Sequence, residues 1–287
     1  MSTSTFPLIT APALRQLLYQ DDIIIIDASG GPDAKKRYEK RHIEGARFID
    51  LETQLADTSG DPARGGRHPL PAVTHFAETL SMLGITKSHR VVIYDDKSGA
   101  NAAARLWWML RAAGHPYVQV LDGGLQAAEE HGLPINDEPV IINPSGAYTI
   151  TRWTLPQALM DEVEIAANDV RQLVIDVRDA ERYNGLTEPL DLIAGHIPGA
   201  VNVPYWSNLR TDGYFKPAAE LKAFYLDILE DKSAHHTVVH CGSGVTACHT
   251  LLAIAAAGLD IPKLYVGSWS EWSRNDKPMV TANPKHP

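Results

Sequence analysis

The sequence carries the same ordered series of signals twice, and this internal repeat restricts the folds open to it. In each half an apolar run containing one aspartate, 23–27 and then 173–177, is followed by an Arg-Tyr pair and by a His-Ile-x-Gly-Ala segment. The matching residues Asp27 and Asp176 lie 149 positions apart. A shared order at a nearly constant offset indicates two copies of one domain.

Each half alternates short apolar runs with helical patterns. Further strands are predicted at 90–94 and 237–240, and long apolar helices at 100–113 and 245–257. Strands that are apolar on both faces and alternate with helices are typical of parallel sheets covered by helices. We therefore predict an α/β fold of two tandem domains, each a mostly parallel sheet flanked by helices on both faces.

Both halves also contain a Thr-x-Pro segment that resembles a helix start. In 10–14 and 154–158 the threonine is a candidate N-cap, and the proline would lie in the first turn. A polar, Pro-rich stretch separates the halves. We predict a first domain at 1–137, a linker at 138–150 and a second domain at 151–287.

The most reactive segment predicted by the sequence lies in the second half. Strand 237–240 runs directly into Cys241, then into a loop of small residues and a long apolar helix. Loop N–H groups and a helix N-terminus favour the thiolate form of a cysteine. Gly242 and Gly244 flank Ser243 and allow a ligand to approach the backbone closely. We predict that Cys241 is a nucleophile for an anionic donor; the alternative is a buried cysteine that packs as a small apolar residue.

The first half has an aspartate at the position that matches Cys241. Asp95 is followed by a similar run of small and polar residues, but a carboxylate cannot take the nucleophilic role of a thiolate at this position. We therefore expect the first domain to be non-catalytic and the second to be catalytic.

Composition excludes several classes of partner. A formal net charge of −9 over 287 residues disfavours nucleic acids and anionic membranes as partners. No apolar run approaches the roughly 20 residues that span a bilayer, and the N-terminal residues lack the features of a signal peptide. The two cysteines, Cys241 and Cys248, form no disulfide framework, so we predict a cytoplasmic protein. The cysteines and nearby histidines fit no common zinc spacing, so we expect neither a metal nor a cofactor.

These motifs together resemble the tandem-domain rhodanese-family sulfurtransferases over essentially the whole chain. The resemblance is carried by 241–247 (CGSGVTA), 195–200 (GHIPGA), 265–272 (YVGSWSEW) and 121–124 (LDGG). The loop is similar to that of the 3-mercaptopyruvate branch, because the thiosulfate branch typically carries Arg or Lys there. The resemblance implies sulfur transfer through a persulfide on Cys241, held by the backbone of the loop that contains Gly242, Gly244, Val245 and Thr246.

The resemblance also suggests how the donor is bound. Arg182 matches the substrate-binding arginine of the family, and a planar guanidinium can bind a carboxylate through two hydrogen bonds. The alternative is a surface arginine paired with Asp179 or Glu181. A second family arginine is missing, because Leu190 stands at its position. This departure leaves thiosulfate open as the donor.

A proton relay is the third implication of the resemblance. In this branch a Ser–His–acid relay is thought to serve the departing pyruvate enolate. Ser243 matches the serine, His68 the histidine and Glu52 the acid, with Asp50 as the alternate acid. A turn histidine without a catalytic role is the alternative for His68.

The partners follow from the same chemistry. We expect a small-molecule sulfur donor, an acceptor that is cyanide or a thiol such as thioredoxin or glutathione, and a monomeric protein. A Cys-x5-Arg phosphatase is excluded, because Ala247 stands where its arginine would be. A non-catalytic rhodanese-like module that senses thiols or binds proteins is the remaining alternative.

Overall fold

The structure is a computed structural model that describes residues 6–282. The chain divides into two compact units. The first unit contains residues 6–56, 71–154 and 211–215, and the second contains residues 57–70, 155–210 and 216–282. Residues 57–70 thus precede the repeat boundary in sequence but pack within the second unit. The boundaries predicted at 137 and 151 stay a prediction.

The first unit is built on a five-stranded parallel sheet. Its strand order is β1-β6-β5-β2-β4, and β3 pairs with β7 in a separate antiparallel ribbon. The strands are β1 (Leu8–Ile9), β2 (Ile23–Asp27), β3 (His42–Ile43), β4 (Arg47–Phe48), β5 (Arg90–Tyr94), β6 (Val118–Leu121) and β7 (Ile135–Asn136). The helices are α1 (Ala11–Arg15), α2 (Ala34–Lys40), α3 (Leu51–Gln54), α4 (Val73–Met82), α5 (Ala102–Ala112) and α6 (Gly124–Glu130).

The second unit repeats this architecture. Its five strands are all parallel, in the order β10-β9-β11-β12-β8. They are β8 (Gln157–Ala158), β9 (Leu173–Asp176), β10 (Val201–Asn202), β11 (Thr237–His240) and β12 (Lys263–Tyr265). The helices are α7 (Met160–Ala167), α8 (Ala180–Tyr183), α9 (Ala218–Leu229), α10 (Ala247–Ala256) and α11 (Ser268–Trp272), with two 3₁₀ turns at Tyr205–Asn208 and Ala234–His236. The predicted fold class is confirmed.

The predicted helix start at 154–158 is wrong. Gln157 and Ala158 form an edge strand, and the helix begins later, at Met160. The Thr154 hydroxyl donates to the carbonyl of Ala112 instead of capping a helix. The backbone N–H of Leu159 is satisfied by the Glu162 side chain at 2.8 Å. In the first half Thr10 does cap its helix, because its hydroxyl accepts from the backbone N–H of the third residue on.

The correct alignment of the two halves has a constant offset at their amino ends. Leu8 and Gln157 open the edge strands 149 positions apart, as Ala11 and Met160 do for the first helices. Asp27 and Asp176 keep the same separation. The Thr-x-Pro similarity was therefore out of register with the true repeat.

The repeated tyrosine and histidine signals make the same contact in both units. Tyr38 stacks on His42 with ring centroids 4.3 Å apart, and Tyr183 stacks on His196 at 3.7 Å. In each pair Nδ1 of the histidine lies within 2.8 Å of the tyrosine carbonyl oxygen. These residues therefore pin the crossover after the second strand of each sheet, and the repeat of the motif reflects packing.

The loop of the first unit that matches the Cys241 loop is filled by its own carboxylate. Asp95 is completely buried, and its two oxygens accept four backbone N–H groups, those of Lys97, Gly99, Asn101 and Ala103, at 2.8–3.3 Å. The ring of donors that could hold an external anion is thus already satisfied by the protein.

We predict that Asp95→Asn destabilises the protein. An amide nitrogen would face two of the four backbone N–H donors, and each buried donor left without an acceptor costs about 1–3 kcal/mol. We expect the free energy of unfolding, measured by urea denaturation at neutral pH, to fall by about 2–4 kcal/mol.

The matched control for this substitution is Asp96→Asn. Asp96 is the exposed neighbour of Asp95, and its carboxylate pairs with Arg37 at 3.2 Å. An exposed ion pair contributes less than about 1 kcal/mol. Equal effects of the two substitutions would contradict the role given to the N–H ring.

Candidate active site

Cys241 follows the central strand of the second sheet. Strand β11 lies between β9 and β12 and ends at His240, so the cysteine emerges at the carboxyl end of the sheet. Only 3% of its surface is exposed. The loop then turns at Gly244, where φ is +73° and a Cβ would lie 2.4 Å from the carbonyl oxygen of Val266. Glycine is therefore required for the loop to close on its neighbour.

The first turn of α11 fixes the loop through its backbone. Trp269 N–H donates to the Cys241 carbonyl at 3.0 Å, and Ser270 N–H donates to the Gly242 carbonyl at 2.8 Å. The Cys241 N–H donates in turn to the Ser268 hydroxyl at 3.2 Å. In a planar trans peptide the N–H points away from the carbonyl of the preceding residue. The N–H groups of Gly242 and Ser243 therefore point away from α11.

Two guanidinium groups lie over the residue that follows Cys241. A Cβ on Gly242 would be 3.2 Å from Nη2 of Arg182 and 3.2 Å from Nη2 of Arg67. Arg182 was predicted to lie here, whereas Arg67 comes from the segment 57–70. Any side chain at position 242 would meet these cations, so glycine leaves the space between the loop and the two arginines open.

Glu188 holds one side of this arrangement. Its carboxylate accepts from Nε and Nη2 of Arg182, at 3.1 and 2.8 Å, and from Nη1 of Arg178 at 3.3 Å. The alternative pairing of Arg182 with Asp179 or Glu181 is therefore not what the structure shows. Its guanidinium is held close to the loop by a nearly buried acid.

Asp191 holds the other side. Its carboxylate is completely buried and accepts from three arginines: Nε of Arg67 at 3.0 Å, Nη1 of Arg274 at 3.0 Å and Nη2 of Arg182 at 3.3 Å. Removing this carboxylate would leave three guanidinium groups close together without their shared partner. Asp191 thus sets the spacing of the cations beside the loop.

A third carboxylate lies deeper, at the end of β9. Asp176 is fully buried and accepts from Nη2 of Arg178 at 2.6 Å, and Arg178 stacks on the ring of Trp269 at 4.6 Å. Burial opposes the charge on Arg178, but Asp176, Glu188 and Cys241 hold the pKa of the guanidinium above its ordinary value. Burial likewise lowers the pKa of His240, which keeps this imidazole neutral at pH 7.

Together these side chains form what we call the arginine–carboxylate cluster. It contains four cations and three anions: Arg67, Arg178, Arg182, Arg274, Asp176, Glu188 and Asp191. One positive charge is therefore left over beside Cys241. A surplus of this kind favours an anion at the loop, whether a thiolate or a bound ligand.

The segment 57–70 brings a histidine to the loop. Nδ1 of His68 lies 2.7 Å from the hydroxyl oxygen of Ser243, which is itself nearly buried. The structure therefore brings together the serine and histidine named from the sequence, 175 positions apart.

Backbone contacts hold this segment against α11. Gly65 N–H donates to Glu271 Oε1 at 2.7 Å, and Arg67 N–H donates to the Ser270 hydroxyl at 2.9 Å. Gly66 has a φ of +82°, and a Cβ there would lie 2.3 Å from the carbonyl oxygen of Gly267. The adjacent glycines 65 and 66 thus allow the backbone to approach closely enough to place Arg67 and His68.

The remaining predicted residues lie as follows. Val245 is buried in the loop and Thr246 is half-buried, immediately before α10. Glu52 is an exposed residue of α3 in the first unit, so its part in a relay stays a prediction. Asp50, the alternate acid, caps α3 by accepting the backbone N–H of Thr53 at 2.9 Å.

Arg67, Arg274 and Asp191, the carboxylate that holds both arginines, were missed in the sequence. Arg67 directly precedes His68 in a segment already singled out, so its position was a usable signal. Nothing in the sequence marks Asp191 as the common partner, because 124 positions separate it from Arg67.

The described part of the chain offers neither a metal site nor a membrane-spanning helix. Within residues 6–282, no group of three or more His, Cys, Asp or Glu side chains is arranged to hold a metal ion. Over the same range no helix combines the length and apolar character needed to cross a bilayer. Cys248 is buried in α10, and its thiol donates to the Gly244 carbonyl at 3.4 Å.

Comparison with known proteins identifies the family. The model of the rhodanese-like domain matches residues 10–131 and 159–275. A probable 3-mercaptopyruvate sulfurtransferase from Pseudomonas aeruginosa is 37% identical over 98% of this chain and 100% of its own length. A thiosulfate sulfurtransferase from Rattus norvegicus is 36% identical over 88% of this chain and 86% of its own.

A solved structure agrees with these relatives. The crystal structure of SseA from Escherichia coli, described with the 3-mercaptopyruvate sulfotransferases, superposes with a TM-score of 0.78 and 33% identity. The match covers 92% of this chain and 99% of that one. The chain therefore belongs to the rhodanese family and carries two rhodanese-like domains in tandem.

Proposed function

We propose that the protein is a 3-mercaptopyruvate sulfurtransferase that transfers sulfur to a thiol or to cyanide through a persulfide on Cys241. The observation that carries this proposal is the position of Arg182. Its Nη2 lies 3.2 Å from the point that a Cβ would occupy at Gly242, the residue next to the cysteine. In a keto acid donor, carbon atoms separate the carboxylate from the sulfur. When the sulfur lies at Cys241, the cation that binds the carboxylate should therefore lie beside the loop and not within it. The loop 242–246 itself contains no Arg or Lys.

The first half-reaction charges the enzyme with sulfur. The Cys241 thiolate attacks the sulfur of 3-mercaptopyruvate, the S–S bond forms and the C–S bond breaks. The electron pair of the C–S bond leaves on carbon as the enolate of pyruvate, which then takes up a proton. The N–H groups of Gly242 and Ser243 point away from α11 and are suited to hold the thiolate and the persulfide anion.

The second half-reaction regenerates the thiolate. An acceptor thiolate or cyanide attacks the outer sulfur of the persulfide and leaves with it, and Cys241 recovers its negative charge. Two half-reactions that share one covalent intermediate predict ping-pong kinetics. Thioredoxin and glutathione are suitable thiol acceptors.

His68 and Ser243 serve the enolate in this proposal. Their 2.7 Å contact allows a proton to pass between the imidazole and the hydroxyl as pyruvate forms. Glu52 completes the relay as a proposal from the family resemblance alone.

Thiosulfate remains a second candidate donor. Two arginines beside Gly242 suit a compact dianion as well as a carboxylate. The 36% identity to a rat thiosulfate sulfurtransferase nearly equals the 37% identity to the Pseudomonas protein, so overall identity does not separate the two donors.

We also propose that the protein is a cytoplasmic monomer. Its two cysteines, Cys241 and Cys248, are both free thiols, which suits a reducing compartment. Each unit has its own sheet and core, and the cluster around Cys241 is formed by residues of one chain.

The donor preference gives a direct test of the proposed function. Steady-state kcat/KM for sulfur transfer to cyanide should be at least tenfold higher with 3-mercaptopyruvate than with thiosulfate, because the loop offers no cation of its own. Cys241→Ser should give no transfer from either donor, since an alcohol cannot form the persulfide.

Rates measured with the two donors, and with Cys241→Ser as the blank, distinguish the alternative functions. A preference for thiosulfate would identify the second candidate as the activity. Transfer that persists in Cys241→Ser would refute the persulfide mechanism, and no transfer in the native protein would favour a non-catalytic module.

The relay gives a separate prediction. Ser243→Ala and His68→Asn should each lower kcat/KM for 3-mercaptopyruvate by about 100-fold, the usual range for general acid–base groups. The double variant should be no worse than the poorer single variant, because residues of one relay act as a unit. Transfer from the preformed persulfide to cyanide should stay at the native rate in all three.

The control is His75→Asn, which removes an exposed histidine that contacts the Thr53 carbonyl in the first unit. It should keep native kinetics. Multiplicative losses in the double Ser243→Ala/His68→Asn variant would show that the two residues act independently, and the relay would then be wrong.

A further inference from the structure

Arg67 and Arg182 lie against the loop in the same geometry. Each places Nη2 3.2 Å from the Cβ position of Gly242. In each, carboxylates engage Nε and Nη2: Asp191 for Arg67, and Glu188 with Asp191 for Arg182. Nη1 of both arginines hydrogen-bonds to none of residues 6–282. Each guanidinium is thus anchored by one edge and keeps N–H donors for a ligand.

The guanidinium of Arg67 is fixed before any ligand arrives. Its backbone N–H donates to Ser270, its Nε donates to Asp191, and its side chain is 24% exposed. The entropy cost of ordering a long side chain is therefore already met in the free protein, which favours tight binding of an anion. A cation held only for structural reasons would have no need to lie beside the nucleophile.

The net charge of the arginine–carboxylate cluster also favours binding of an anion. The arginine–carboxylate cluster has four guanidinium groups and three carboxylates, so its inner charges do not cancel. Leu190, which lies in the turn between Glu188 and Asp191, is 58% exposed and offers no charge. The second cation beside the loop is therefore supplied by the segment 57–70.

We propose that Arg67 is a donor-binding residue that holds the carboxylate of the sulfur donor together with Arg182. Leu190 has no charge with which to bind the donor carboxylate. Arg67 supplies that charge from the segment 57–70 and so determines specificity for an anionic donor. This inference rests on the proposed function and deepens it.

Arg67→Ala tests the proposal in the full-length protein. We expect kcat/KM for 3-mercaptopyruvate to fall by about 10- to 100-fold, the effect of losing one charge-assisted contact. Arg182→Ala should cause a loss of the same order. Transfer from the isolated persulfide to cyanide should be unchanged in both, because the acceptor step does not use the donor carboxylate.

Arg64→Ala is the matched control. It removes the same charge from the same segment, but at an exposed position. It should keep native donor kinetics. An equal loss in Arg64→Ala and Arg67→Ala would show that the effect comes from the overall charge of the segment and not from a contact made by Arg67. That result would overturn the proposal.

Two further variants separate binding from structure. Arg67→Ala/Leu190→Arg should recover part of the lost kcat/KM, because position 190 directly precedes Asp191, whose carboxylate holds both Arg67 and Arg182. Arg67→Gln should show the donor defect with a melting temperature near the native one. Donor kinetics within twofold of native in a folded Arg67→Gln would overturn the proposal.

A binding measurement tests Arg67 apart from the proposed function. The probe is pyruvate, added while iodoacetamide alkylates Cys241. Pyruvate should slow alkylation of the native protein and should protect Arg67→Ala at least tenfold less well. If the native protein transfers no sulfur from 3-mercaptopyruvate, the proposed function fails while this result still stands. Equal protection of both proteins, or of neither, would overturn the role of Arg67.

Discussion

The buried carboxylate of Asp191 holds three guanidinium groups at once, and the geometry around Cys241 depends on it. Arg67, Arg182 and Arg274 come from three distant parts of the chain and meet on its two oxygens. Without Asp191 these like charges would repel one another, and Arg182 alone would keep a carboxylate partner, Glu188. One completely buried acid therefore holds three guanidinium groups in a fixed arrangement.

Burying these carboxylates and their ion pairs costs free energy. Removing a carboxylate from water costs several kcal/mol, and ion pairs in the interior seldom stabilise more than apolar packing would. In the second unit the acids are arranged so that the arginines face the loop before a ligand binds. The gain is preorganisation: an anion at the loop meets oriented donors and does not have to order them.

Much of the fold could be predicted, because apolar periodicity and the internal repeat are local signals. Strands 90–94 and 237–240 have the predicted bounds. The helices predicted at 100–113 and 245–257 are observed at Ala102–Ala112 and Ala247–Ala256. The start of the second repeat was misplaced, because a Thr-x-Pro sequence favours a helix only when the threonine side chain is available to cap it. Thr154 instead donates to Ala112, a contact that no local pattern reveals.

The site was predictable where a motif concentrates its residues and not where distant segments meet. The loop from Cys241 to Thr246 is one continuous run, so its residues could be named together. The family resemblance added His68, which the structure brings to Ser243. Arg67 and Asp191 were missed as partners, because pairing across 124 positions depends on tertiary structure.

The segment 57–70 also bears on how such a duplicated gene can change. The first half has Asp95 where the second has Cys241, yet it encodes Arg67 and His68, which pack in the second unit. A gene shortened to the second repeat alone would retain Cys241 and lose both neighbours. The two halves therefore depend on each other: deleting the first half would also delete Arg67 and His68, which lie beside Gly242 and Ser243 in the second unit.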